Sequence, residues 1–182
     1  MTSATGQKAA GRFGAVMQLG YVVPDLDAAL RHWSGTLGVG PFFVAAAVPY
    51  AELTFRGAPV AAETRVALAS HRGMQIELIA QDGGGETVFS DFLARRGGGL
   101  HHVCALTDDL AGDLAAWAAR GVGVLQAGRT TAGVAFAYLD TDPDDRGGVL
   151  ELVQPTPGLL RFFARIDAAA ATWDGTAPRI DL

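Results

Sequence analysis

The chain repeats itself, and that constrains its fold more than anything else in it. The stretch Gly99-Leu100-His101-His102-Val103-Cys104-Ala105-Leu106-Thr107-Asp108-Asp109-Leu110 has a near copy in Met17-Gln18-Leu19-Gly20-Tyr21-Val22-Val23-Pro24-Asp25-Leu26. A shift of 84 positions sets Gln18 on His102, Asp25 on Asp109, Leu26 on Leu110, Leu30 on Leu114 and Trp33 on Trp117. Each copy reads as a strand running into a helix. The apolar run ends at an Asp whose carboxylate can accept from the free amides of the first helical turn. A helical stripe follows, Leu26, Ala29, Leu30, Trp33 and Leu37 in one copy and Leu110, Leu114, Trp117 and Ala118 in the other, stopped by Gly38 and Gly121.

A second pair of segments closes each copy. Gly73-Met74-Gln75-Ile76-Glu77-Leu78-Ile79 matches Gly147-Gly148-Val149-Leu150-Glu151-Leu152-Val153, with a carboxylate centred in an apolar strand both times. Two modules of similar length therefore each bring one polar side chain from their first strand and one from their last. The division expected is an N-terminal arm over 1–13, a first module over 14–82, a linker helix over 83–98, a second module over 99–155, and a C-terminal helix and tail over 156–182.

Within the modules the strands expected are 15–23, 42–46, 50–55, 63–70 and 74–80, then 100–106, 122–126, 134–140 and 149–154. The helices are 26–37 and 110–120. Gly83-Gly84-Gly85 reads as a flexible break, and Thr87 as the cap of a short helix with Val88, Phe89, Phe92 and Leu93 on its apolar side. Thr156-Pro157 opens a last helix with Leu159, Leu160, Phe163, Ile166 and Ala170 on one face, which packs back on the modules. Trp173 to Leu182 trails after it. The fold class is α+β, built from paired βαβββ modules with one sheet face under the helices.

Side chains alternate between the faces of a strand. If Leu19 and Tyr21 face the helix, Gln18 and Gly20 face away; by the same count His102 and Cys104 share one face, His101 takes the other, and Glu77 lies with Gln75 and Ile79. Gln18, Glu77, His102 and Glu151 can then converge if the modules join around a common hollow. Singly, a Glu in an apolar strand is more often an exposed edge residue, and a His more often a satisfied core imidazole. Together, two carboxylates aimed into one hollow call for compensation that a divalent cation supplies.

These motifs resemble the vicinal oxygen chelate superfamily, which includes glyoxalase I, methylmalonyl-CoA epimerase, extradiol dioxygenases and bleomycin-resistance proteins. The resemblance implies a metal held by Gln18, Glu77, His102 and Glu151. The order Gln, Glu, His, Glu is similar to that of glyoxalase I. The wording around His102 and Glu151, with Phe92-Leu93-Ala94-Arg95-Arg96-Gly97 ahead of them, is closer to methylmalonyl-CoA epimerase, from which the chain departs at its first and second ligands, His and Gln there.

The donor set narrows the chemistry further. An Fe(II) oxygen site usually takes two imidazoles and a carboxylate, and His102 is the one imidazole at a ligand position, which disfavours a dioxygenase. An oxygen-rich site suits Zn, Ni, Co, Mn or Mg, with open positions for two neighbouring oxygens of a small-molecule substrate. The activity expected is that of a metal-dependent isomerase, epimerase or lyase, moving a proton beside a chelated carbonyl through an enolate. The resemblance to glyoxalase I implies Glu151 as the base and Glu77 as the returning acid. The rival reading is a metal-free, drug-sequestering protein of the bleomycin-resistance kind.

Other signals bear on context. Net charge is −5 with no Lys/Arg cluster, which argues against nucleic acid. One cysteine, Cys104, excludes an internal disulfide and suits a cytoplasmic protein. No export signal and no membrane span are read. Pairing of modules within a chain or between chains leaves a homodimer open. Asp140-Thr141-Asp142-Pro143-Asp144 with Glu151 in twelfth place imitates a calcium loop, but Asp145 stands where the turn needs Gly. His32 and His71 read as surface residues. Phe42, Phe43, Tyr50, Phe55, Phe136 and Tyr138 are candidates for an apolar pocket wall.

Overall fold

The structure is a computed structural model that describes residues 13–142 and 148–182. The arm expected over 1–13, Phe13 apart, and Asp144 and Asp145 of the calcium-like loop lie outside the described residues. The first repeat holds β1 (Val16–Val22), α1 (Leu26–Gly35), β2 (Phe42–Ala45), β3 (Tyr50–Phe55), β4 (Ala58–Pro59), β5 (Ala62–His71) and β6 (Met74–Gly84). After α2 (Val88–Arg96), the second holds β7 (Gly99–Leu106), α3 (Leu110–Ala118), β8 (Val124–Thr130), β9 (Ala135–Leu139) and β10 (Val149–Gln154). The chain closes with α4 (Pro157–Thr172) and β11 (Arg179–Asp181).

The caps act as their chemistry requires. Asp25 accepts from the Ala28 N–H at 2.9 Å, and Asp109 accepts from that of Gly112 at 3.0 Å. Thr87 and Ser90 form a reciprocal capping box at the start of α2. None of the helices among the described residues is long and apolar enough to cross a membrane.

All strands join one sheet in the order β11-β2-β5-β6-β1-β7-β10-β9-β8-β3-β4. The first strand of each module lies parallel to that module's last, β1 to β6 and β7 to β10, and β1 meets β7 antiparallel at the seam between the halves. Alternation sorts the side chains. Leu19, Tyr21, Ile76 and Leu78 pack beneath α1 around the buried Leu26 and Leu30, while Val103, Ala105, Leu150 and Leu152 pack with Leu110, Leu114 and Trp117 of α3. Val22, Ile79, Cys104, Tyr138 and Val153 belong to a third cluster on the opposite face. The paired βαβββ fold is thus present within one chain.

One connection crosses between the repeats, and three local expectations are corrected. β3 pairs with the short β4 of its own repeat and, on its other edge, with β8 of the second repeat, Phe55 opposite Gln126. Gly83 and Gly84 are not a break but the end of β6, paired with Glu63 and Ala62. The C-terminal residues do not trail, because β11 adds to the sheet beside β2 and the Leu182 N–H donates to the Val44 carbonyl at 3.0 Å. α4 does pack back, through the fully buried Ile166 and through Phe162 edge-on to Phe43 at 5.7 Å, but Leu160 of the expected face is exposed.

Candidate metal centre

The register of four strands sets out the site. Gly20 of β1 lies opposite Glu77 of β6 on one side and His102 of β7 on the other. One step along, on the same face, Cys104 lies between Gln18 and Glu151. The four candidate ligands therefore occupy two adjacent rows across the seam, with a glycine at the crossing.

Three of them meet closely. The Nε2 atom of His102, whose side chain is wholly buried, lies 3.3 Å from Glu77 Oε2 and 3.3 Å from Glu151 Oε2. Each of the three residues offers a donor atom within 4.8 Å of the others. Neither His102 Nε2 nor Glu77 Oε2 has a properly oriented hydrogen-bond partner, although both are buried. Orphaned polar atoms of this kind are rare and costly in a folded interior. A carboxylate, an imidazole and a second carboxylate converging with unused lone pairs fit a divalent cation. Gln18 lines the same cavity, its side-chain amide donating to Gln75 Oε1 at 3.2 Å.

Without a cation the electrostatics bind a proton in its place. Burial alone would lower the basicity of His102, but Glu151 and Glu77 outweigh it and push its pKa up to about 9. Burial likewise raises the pKa of Glu77, with the nearby charge of Glu151 adding to the rise and His102 opposing it. Burial, followed by the two carboxylates, holds the Tyr138 hydroxyl protonated. The same causes push the Cys104 thiol up, so Cys104 lines the cavity as an inert thiol.

Two neighbours of the centre escape a reading by alternation. Gly20 provides the floor for the imidazole: a Cβ built on it would come within 1.8 Å of His102 Cε1. His101 does not face the opposite side of β7. The β1–β7 register slips by one between Gly20 and Tyr21, a bulge that leaves His101 unpaired and turns it beside His102. Its Nδ1 lies 3.0 Å from Nδ1 of His102, and its ring packs edge-on against Phe89 and Phe92. Burial, with the charges of His102 and Arg95, lowers the His101 pKa to about 3. A neutral His102 presenting its Nε2 lone pair carries its proton on Nδ1 and donates it to His101. His101→Phe is accordingly expected to keep the fold and weaken metal binding by about 10- to 100-fold, read by titration calorimetry with Zn. Unchanged affinity would show that His101 does not orient the ligand.

The centre opens onto a cavity of about 400 Å³. Phe43, Tyr50, Phe136 and Tyr138 line it as expected. Phe42 instead belongs to the core beneath α1, and Phe55 lines a different hollow beside Arg56 and Arg95. Phe89 of α2, Leu159, Phe162 and Phe163 of α4, and Leu182 complete the wall. Their part was hidden in the sequence because it depends on how α4 and the C-terminal strand dock.

Comparisons with known proteins bear on the family and the fold. Residues 17–138 match the model of the Glyoxalase/Bleomycin resistance protein/Dioxygenase superfamily, and the chain belongs to that family. No curated protein sequence matches it. Among solved structures it is similar to methylmalonyl-CoA epimerase from Mycobacterium tuberculosis, with 25% identity, a TM-score of 0.57, and 84% of this chain and 95% of that one covered. A variant of the Streptomyces coelicolor methylmalonyl-CoA epimerase in complex with 2-nitronate-propionyl-CoA gives 21% identity, a TM-score of 0.51 and coverage of 80% and 99%. A hypothetical protein from Bacillus halodurans gives 17%, 0.55, 78% and 94%. The last two likenesses concern the fold alone.

Proposed function

We propose that the chain is a divalent-metal-dependent isomerase or epimerase that moves a proton at a carbon beside a carbonyl, with Gln18, Glu77, His102 and Glu151 holding the metal. Lyase chemistry is the variant in which loss of the proton is followed by loss of a leaving group. One observation carries the reading: two carboxylates converge on a buried imidazole whose Nε2 has no oriented hydrogen-bond partner. The likeness to the methylmalonyl-CoA epimerase from Mycobacterium tuberculosis supports its epimerase side.

A bound Zn, Ni, Co, Mn or Mg ion would act as a Lewis acid, polarising the carbonyl and one neighbouring oxygen. The chain's residues do the rest. Glu77 and Glu151 stand on strands either side of the seam, so a substrate between them meets a carboxylate from each module. Glu151 takes the proton from carbon onto a carboxylate oxygen, and Glu77 delivers a proton from the other side. Burial supports the second role, because it raises the proton affinity of Glu77. The Tyr138 hydroxyl stays a donor, and the walls of Phe43, Phe136 and Val153 keep out water that would compete for the carbanionic carbon.

Metal analysis of single variants tests the reading. Glu77→Ala, His102→Ala and Glu151→Ala are each expected to weaken metal binding by more than about 100-fold, and Gln18→Ala by less, since it removes a neutral donor. In wild type with metal, a carbonyl substrate should take up solvent deuterium at the adjacent carbon, and Glu151→Gln should not support this. A wild-type protein that refuses metal but binds apolar ligands would be a sequestering protein instead, and oxygen consumption would make it a dioxygenase.

A further inference from the structure

The reaction leaves open what the substrate carries besides its paired oxygens. Resting on the metal-centre reading above, we infer that the substrate is a neutral molecule with vicinal oxygens at one end and an apolar alkyl or aryl body, and not an acyl-CoA acid or another anion.

The wall of the cavity carries this, because a charged group brought into it without a compensating partner would meet a high desolvation cost that a neutral pair of oxygens does not.

Among the described residues lining the cavity there is no Lys, Arg or His, and its polar groups are the amide of Gln18, the two carboxylates, and hydroxyl and thiol groups. Arg165 stacks on the Phe43 ring at 4.9 Å without reaching the cavity lining. The rest is apolar, with Val48, Phe136, Leu159, Phe162 and Leu182 facing a space of about 400 Å³. That space is of the size of small-molecule sites and takes an apolar body rather than a phosphate or a second acid. Three arginines gather elsewhere: Arg56, Arg95 and Arg96 line a separate hollow that also contains Asp91, Asp140 and Asp142.

A pair of near-isosteric probes separates charge from shape. Titration calorimetry of the Zn-loaded protein would compare 1-phenylpropane-1,2-dione, which is neutral, with phenylpyruvate, which is anionic, and with methylmalonyl-CoA. The diketone should bind at least about tenfold more tightly than either anion. Leu159→Arg, which places a cation at a half-buried position of the wall, should reverse the order of the two phenyl compounds. Equal or tighter binding of phenylpyruvate or methylmalonyl-CoA to the Zn-loaded wild type overturns the inference, as does binding of none of the three or an unchanged order in Leu159→Arg. Titration with Zn alone tests the other reading separately. A protein that takes no Zn yet prefers the diketone would keep the ligand class and lose the metal-dependent reaction.

Discussion

Gly20→Ala is expected to abolish tight metal binding in a protein that still folds. The methyl group would sit 1.8 Å from Cε1 and 2.2 Å from Nε2 of His102, far inside van der Waals contact. The ring cannot slide clear, because Tyr138 packs edge-on against it at 5.1 Å and His101 adjoins its other nitrogen. It must turn out of the centre, taking Nε2 away from Glu77 and Glu151. A loss of more than about 100-fold in Zn affinity follows, since ligand sets tolerate little displacement. Titration calorimetry gives the affinity, and circular dichroism checks the fold. Gly123→Ala is the control, because a Cβ there meets nothing within 4 Å. Wild-type affinity in Gly20→Ala would remove His102 from the ligand set.

Metal affinity should also climb steeply with pH. His102 in the metal-free protein holds its proton up to about pH 9, so a cation arriving below that must expel it. The apparent association constant is expected to rise about tenfold per pH unit from about pH 6 and to level off near 9, roughly a thousandfold in all. The sign for stability is opposite. An unfolded histidine loses its proton near 6.5 and the folded one near 9, so the folded metal-free protein binds the extra proton between those values. The stabilisation is full below 6.5 and fades as pH rises through 9, and the raised pKa of Glu77 acts in the same direction. The melting temperature of metal-free protein should thus fall from pH 6.5 to 9 while that of metal-loaded protein does not. A pH-independent affinity over that range would mean that no proton occupies the place of the metal.

Much of this architecture can be read from local chemistry. The apolar run, the capping Asp and the 3.6-residue stripe occur twice, and they predict strand, turn and helix because those signals act within a few residues. Period-two alternation then put Gln18 and His102 on the face away from the helices, where the structure has them. The same rule failed at His101, since a bulge inserts one residue and alternation holds only while the register does. Gly20 could not have been read as the imidazole's floor without knowing that β1 and β7 are neighbours. The pairing of β3 with β8 and of β11 with β2 was hidden for a related reason: strand partners far apart in the chain leave no periodic trace. The cavity wall inherits that gap through α4 and Leu182.

The reach of β3 and β4 across to β8 has a bearing on how such a protein can be rebuilt. The halves look interchangeable on paper, as two copies of one plan, yet each is stitched to the other by a ribbon that begins in one and is hydrogen-bonded into the other. A chimera that joins one half of this chain to the counterpart half of a relative would have to graft the ribbon along with its host strand; otherwise the borrowed half would be left with the raw edge of β8 in solvent and a hole where Leu53 and Phe55 belong.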